Sequence, residues 1–107
     1  MRVSMWYLCI RKPVLPREQW TTTLADHFVW MKAQHEAGRI VISGPGLVDG
    51  QRVGMYLIRA GSRADAETVA SGDPYTRAGH TRFELIDWEI HQSLGIGSFS
   101  AETFQPR

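Results

Sequence analysis

The spacing of apolar residues changes several times along the chain, and each change predicts an element of secondary structure. Residues 3–10 are nearly all apolar and rich in strand-forming side chains, which predicts a first strand that ends at residues 11–13. Apolar residues then recur at helical spacing from Thr22 or Thr23 to Gly38, which predicts a first helix with a capping box at Thr23. Its expected inward stripe is Leu24, Phe28, Met31 and His35.

The second half of the chain predicts three more strands and one more helix. Residues 39–43 and 53–58 have strand composition, and the loop 44–50 between them ends in Asp49-Gly50, a hairpin turn signal. Ser62 is expected to cap a short helix that ends at Gly72. A last strand is predicted over residues 82–91.

The resulting order β-α-β-β-α-β is that of a ferredoxin-like α+β fold, with a four-stranded antiparallel sheet and two helices on one face. In strands one and three, the side chains that point to each face of the sheet are apolar. The face without helices is therefore also expected to be covered. We therefore expect a homodimer packed sheet to sheet. One domain is expected over residues 1–92, and residues 93–107, which carry Phe99 and Phe104, form either a loose tail or an arm that docks on the partner.

Composition narrows the possible functions of this 107-residue chain. Twelve basic and eleven acidic residues give a net charge of +1, which argues against an electrostatic nucleic-acid binder. Cys9 is the only cysteine, so no internal disulfide can form, and a cytoplasmic location is expected. The sequence shows neither the apolar core of a signal peptide nor a run long enough to cross a membrane.

His27 and Asp73 are the candidate catalytic residues. His27 lies at the edge of the predicted buried face of the first helix, and Asp73 opens the turn Asp73-Pro74-Tyr75. A histidine oriented by a carboxylate can take and return a proton near neutral pH. Each residue also has a purely structural interpretation: Asp73 as the N-cap of a short turn, and His27 as a partly buried helix residue bonded to one carbonyl.

The chain resembles the YciI-like (YCII-related) family over residues 5–88. The matching segments are Asp26-His27-Phe28, Glu36-Ala37-Gly38-Arg39-Ile40, Ser43-Gly44-Pro45, Ser62 with Ala66, Gly72-Asp73-Pro74-Tyr75, Ala78-Gly79 and Asp87-Trp88. The family is similar to the dimeric α+β barrels, and the resemblance implies that His27 and Asp73 pair in a pocket. Its best-understood relatives are dehydrochlorinases of chlorinated hydroxyquinols and, more distantly, muconolactone isomerases. The chain departs from the common pattern at His80 and in carrying Trp20.

Other residues are assigned from their surroundings in the sequence. Ser43, Gly44 and Pro45 are candidates for substrate binding because glycine lets backbone N–H groups approach a ligand, although a plain turn is the slightly favoured interpretation. Tyr75 is expected either to close the pocket or to lie at an interface. Cys9 is expected to pack in a strand. The histidines lack the short spacing typical of metal ligands, so no metal is predicted.

These observations predict a small cofactor-free enzyme, a lyase or an isomerase, that acts on a small cyclic oxygenated or halogenated molecule. His27 would be the general base, and Asp73 would orient it. The alternative is a non-catalytic ligand-binding or accessory protein of the same fold. A haem-degrading or quinol-oxidising monooxygenase is ranked last, because the sequence does not single out a haem ligand.

Overall fold

Within residues 5–88 the structure has four antiparallel strands and three α-helices, with short 3-10 helices at Arg17–Gln19 and Thr21–Thr23. The computed structural model describes residues 5–93, 97–100 and 105–106. The elements in chain order are β1 (Trp6–Pro13), α1 (Leu24–Glu36), β2 (Ile40–Val48), β3 (Gln51–Arg59), α2 (Arg63–Ser71), α3 (Pro74–Arg77) and β4 (Thr81–Trp88). The sheet order is β2-β3-β1-β4 with antiparallel neighbours, which confirms the ferredoxin-like α+β fold.

Alternate side chains of the two central strands pack beneath the helices and form the core. Tyr7 and Cys9 of β1 are fully buried and share this face with their cross-strand partners Ile58 and Tyr56. Ala66 and Ala70 of α2 are also fully buried, and their small side chains allow the helix to approach the sheet closely. As predicted, Ser62 caps this helix, and its hydroxyl accepts a hydrogen bond from the Asp65 N–H at 3.1 Å.

The hairpin of β2 and β3 is longer than predicted. Residues 44–48, which were expected to be a loop, are strand residues, with Gly44 opposite Met55 and Pro45 opposite Gly54. Pro45 is tolerated because β2 is an edge strand, where a missing N–H costs no ladder bond. The predicted turn is confirmed: Asp49 and Gly50 have φ angles of 50° and 77°, the left-handed values that a type I′ turn requires.

The outer ends of the other strands also differ from the prediction. β1 continues through residues 11–13, because β4 offers a pairing partner as far as Thr81, opposite Pro13. β4 stops at Trp88 rather than at residue 91, because Trp88 lies opposite Trp6, the first residue of β1. The predicted start at residue 3 lies outside the described residues.

Helix α1 is rotated relative to the predicted stripe. His27 is its one buried residue, whereas Phe28 is 61% exposed and His35 is exposed. A shift of one residue along a helix corresponds to a rotation of about 100°. His27 therefore lies at the centre of the buried side of α1, and not at its edge as expected. The polar partner of His27, described below, fixes this rotation. The expected capping box is absent, since the Thr23 hydroxyl donates to the Trp20 carbonyl instead.

Beyond β4, short strands at Gln92–Ser93, Gly97–Ser100 and Gln105–Pro106 pair in sequence as an antiparallel set. The side chains of Phe99 and Phe104 lie outside the described part of the chain, so the role of the tail stays a prediction. Within the described residues, no helix has the length and apolar character needed to cross a membrane.

Candidate active site

His27 and Asp73 are joined by a short buried hydrogen bond. His27 Nδ1 lies 2.9 Å from Asp73 Oδ1, and Asp73 is fully buried. The same carboxylate oxygen accepts the Tyr75 backbone N–H at 3.0 Å, which makes Asp73 the N-cap of α3. Asp73 therefore both caps α3 and contacts His27, and the cap fixes the carboxylate that holds the histidine, while its catalytic role stays a prediction.

This geometry determines which nitrogen of His27 is available for proton transfer. A carboxylate oxygen only accepts, so Nδ1 donates to Asp73 and Nε2 is the unprotonated nitrogen of the neutral ring. His27 also lines a cavity of about 670 Å³. In this tautomer Nε2 is the nitrogen that could accept a proton, and it lies 3.5 Å from Arg11 Nη1, which can only donate.

Arg11 completes a buried triad that the sequence analysis missed. Its Nη1 donates to Asp73 Oδ2 at 3.2 Å and lies 3.5 Å from His27 Nε2, and the side chain is 11% exposed. The residue was assigned to the end of β1. The alternation of side chains along β1 could have identified it. Arg11 lies on the same helix-facing side of the strand as Tyr7 and Cys9, and a charge on that side requires a buried partner.

Two aromatic rings form a wall beside the pair. The Tyr75 ring stacks on His27 with centroids 4.4 Å apart and planes 21° from parallel, and Trp20 packs edge-on against Tyr75 at 4.4 Å. Trp20 is held by a 3.0 Å hydrogen bond from its indole N–H to the Leu15 carbonyl. Burial raises the pKa of Tyr75, and the Arg11 guanidinium opposes that change. The tyrosine therefore keeps its proton and remains a possible donor.

The candidate binding residues all border the same cavity. Ser43, Gly44, Pro45 and Tyr75 line it together with His27. The first three lie on strand β2, although Gly44 and Pro45 were expected in a loop. The Ser43 hydroxyl is 3.0 Å from His35 Nε2. Their binding role stays a prediction, since proximity to the cavity is what the structure establishes.

Cys9 and the remaining histidines have structural surroundings. Burial raises the pKa of the Cys9 thiol to about 12, so it remains a neutral thiol and not a nucleophile. His80 Nδ1 lies 3.3 Å from the Thr23 hydroxyl, and the exposed His91 lies 3.5 Å from Glu89. Among the described residues, no three side chains of His, Cys, Asp or Glu are grouped so that they could hold a metal ion.

The fold and this site define a ferredoxin-like α+β domain with a buried histidine–carboxylate pair. A family profile, the YCII-related domain, matches residues 5–89, and the chain belongs to this family. Among solved structures it is similar to 5-chloro-2-hydroxyhydroquinone dehydrochlorinase (TftG) from Burkholderia phenoliruptrix AC1100 in complex with 2,5-dihydroxybenzoquinone. The TM-score is 0.64 at 20% identity, over 79% of this chain and 94% of that chain. No curated protein matches the sequence significantly.

Proposed function

We propose that the protein is a small cytoplasmic enzyme that performs cofactor-free acid–base chemistry on a small cyclic oxygenated or halogenated compound. The observation that carries the proposal is the His27–Asp73 pair, a histidine bonded through Nδ1 to a buried carboxylate in the wall of a cavity. Ser43, Gly44, Pro45 and Tyr75 would contact the ligand. The dehydrochlorinase activity in the name of the structural neighbour is compatible with this chemistry.

The proposed elimination uses His27 as base. In the keto tautomer of the substrate, the chlorine-bearing ring carbon is tetrahedral and carries a hydrogen. Nε2 takes a proton from a ring hydroxyl, the O–H electron pair forms a carbonyl, and the neighbouring ring double bond moves to the chlorine-bearing carbon as the carbon–chlorine bond breaks. Where the proton comes instead from carbon beside a carbonyl, the C–H electron pair forms the new double bond to an adjacent chlorine-bearing carbon. Chloride leaves with the bonding pair, and the imidazolium returns its proton to solvent. In an isomerisation the same nitrogen returns the proton to another carbon of the substrate. Asp73 balances the imidazolium charge throughout.

The wild-type protein tests the proposal with 5-chloro-2-hydroxyhydroquinone as the probe. We expect chloride release above the rate of the uncatalysed reaction, followed with a chloride assay and by the appearance of a quinone spectrum. A muconolactone is the parallel probe for isomerisation. If neither compound is turned over faster than in buffer, the dehydrochlorinase and isomerase assignments are both wrong for these compound classes.

We further propose that the functional unit is a homodimer joined through the face of the sheet that lies opposite the helices. Leu8 lies opposite Leu57 on one side and Ile86 on the other, so these three apolar side chains share that face. Ile86 is 48% exposed and Trp88, further along β4, is 44% exposed. An apolar sheet face of this kind is typical of an interface.

A charge placed on this face is expected to weaken the dimer. Ile86→Glu would bury a carboxylate against apolar side chains, so we expect it to sediment as a monomer at concentrations where the wild type is dimeric. Val29→Glu is the matched control, because Val29 is 71% exposed on α1. A dimer that persists unchanged in Ile86→Glu, or a monomeric wild type, would contradict this interface.

The second candidate function is ligand binding without turnover. The cavity rim is open in the single chain, with Val14 56% and Phe28 61% exposed, and an open site favours binding over chemistry that excludes water. Tight binding of the quinone product without release of chloride from the chlorinated probe would favour this function.

A further inference from the structure

We propose that the cavity selects a ligand carrying an ionised ring oxygen, a phenolate or enolate, and that Arg11 is the residue that binds that oxygen. The inference rests on the proposed function and deepens it by naming the charge state of the substrate. It also makes Arg11 a specificity-determining residue in addition to a partner of Asp73. Three features of the molecule support this proposal. The Arg11 side chain is largely buried, Gly54 leaves space for its guanidinium, and the cavity lining is basic.

The Arg11 guanidinium has a donor that the described residues leave without an acceptor. Its Nη1 serves both Asp73 and His27, while its Nε is buried and has no hydrogen-bond partner within the described residues. A buried donor of this kind destabilises a protein, because the N–H has lost its hydrogen bond to water and has no acceptor in its place. Arg11 also lines the cavity, and its carboxylate partner Asp73 is bonded through Nη1, so an anionic oxygen bound in the cavity beside the guanidinium would be stabilised by its charge.

A glycine on the neighbouring strand leaves the space that this guanidinium occupies. Gly54 of β3 lies directly opposite Arg11 of β1. A Cβ atom at Gly54 would lie 2.5 Å from Arg11 Nη2 and 2.6 Å from Cζ, closer than real contacts permit. The absence of a side chain at Gly54 therefore allows the guanidinium to lie across the strand, where Gly54 also borders the cavity.

The tyrosine ring fixes the other side of the cation. The Arg11 Cζ atom lies 4.9 Å from the centroid of the Tyr75 ring, within the range of a cation–π contact. This contact, the hydrogen bond to Asp73 and the space above Gly54 together hold the guanidinium in place before a ligand binds. A preorganised cation loses little entropy on binding an anion, which favours selectivity for charge.

The charge of the lining points to the same class of ligand. Arg17 and Arg52 line the cavity along with Arg11, and no Asp or Glu is among the lining side chains in the described part of the chain. The Asp73 charge lies beneath the surface and is offset by Arg11. When His27 takes a proton, the triad becomes net positive, which matches a substrate that has just become an anion.

A matched pair of probes tests the inference through binding alone. The probes are 4-nitrophenol, used above its own pKa so that it is the phenolate, and the uncharged 4-nitroanisole. We expect the wild type to bind the phenolate at least about tenfold more tightly, since a hydrogen bond to a charged group is worth about 1.5–3 kcal/mol. Titration calorimetry measures both dissociation constants, and the phenolate absorption reports its charge state in the complex.

Three variants separate a specific role of Arg11 from a structural one. Arg11→Met should abolish the preference for the phenolate, and Arg11→Lys should restore part of it. Gly54→Ala retains every charge but displaces the guanidinium, so it should also reduce the preference. Gly61→Ala is the matched control, because an added Cβ there has only an Asp65 carboxylate oxygen at 3.8 Å nearby. We expect this control to bind like the wild type.

The wild type alone can overturn the inference, even if Arg11→Met does not fold. Equal affinity for the two probes means that the cavity does not select an anion. A retained preference in folded Arg11→Met means that another group binds the oxygen. His27→Gln distinguishes failure of the proposed function: it should keep the preference while losing turnover. A charge preference in a protein without turnover supports the anion site and contradicts the proposed function, whereas turnover without a preference supports the proposed function and contradicts the anion site.

Discussion

Replacing His27 by alanine is expected to lower the turnover rate about 10²- to 10⁴-fold, the range that a general base typically contributes. The loss follows from geometry, since Nε2 of His27 is the nitrogen that the Asp73 bond leaves unprotonated. The measurement compares chloride release by the wild type and by His27→Ala at saturating 5-chloro-2-hydroxyhydroquinone. Circular dichroism and a melting curve establish that the variant is folded.

His35→Ala is the control for this substitution. His35 lies on the same helix but is exposed, and its ring contacts Ser43 rather than Asp73. We expect His35→Ala to retain activity within a few-fold of the wild type, as is usual for an exposed side chain. An unchanged turnover rate in folded His27→Ala would remove His27 from the chemistry and favour the ligand-binding alternative.

Asp73→Ala is expected to lower the free energy of unfolding by about 3–5 kcal/mol, the cost of removing one partner of a buried ion pair. Asp73 is fully buried and serves three groups: His27, the Arg11 guanidinium and the Tyr75 N–H. Alanine leaves the buried Arg11 charge unpaired and removes the N-cap of α3. Urea denaturation of the two proteins, followed by tryptophan fluorescence, measures the difference.

Asp87→Ala provides the matched comparison. Asp87 also pairs with an arginine, Arg63, at 2.6 Å, but both side chains are about half exposed. An exposed pair is worth about 1 kcal/mol or less, so the loss in this variant should be small. Equal losses in the two variants would contradict the account of Asp73 as the buried centre of the triad.

Local signals in the sequence were sufficient to predict the order of the elements. The hairpin turn at Asp49-Gly50 and the cap at Ser62 are determined by the φ angles and hydrogen bonds of a few neighbouring residues, and both are present. The His27–Asp73 contact spans 46 residues. It was predicted through the family resemblance, because nothing in the spacing of two distant residues reports that they meet.

What the sequence did not predict depends on tertiary contacts. Residues 44–48 contain two glycines and a proline that are typical of a loop, but pairing with β3 outweighs those preferences. The rotation of α1 was missed because apolar spacing favours burying Phe28, whereas the bond from His27 to buried Asp73 turns the helix the other way. Arg11 was missed because its partner lies 62 positions away.

The tautomer of His27 is the most direct test of the central claim, that Asp73 leaves Nε2 as the base. Long-range proton–nitrogen correlation spectra of the ¹⁵N-labelled protein, recorded where the ring is neutral, distinguish the two ring nitrogens. We predict that Nδ1 carries the proton and that Nε2 shows the shift of a bare imidazole nitrogen. A proton on Nε2 with a bare Nδ1 would contradict the hydrogen bond to Asp73 and leave no base at the cavity.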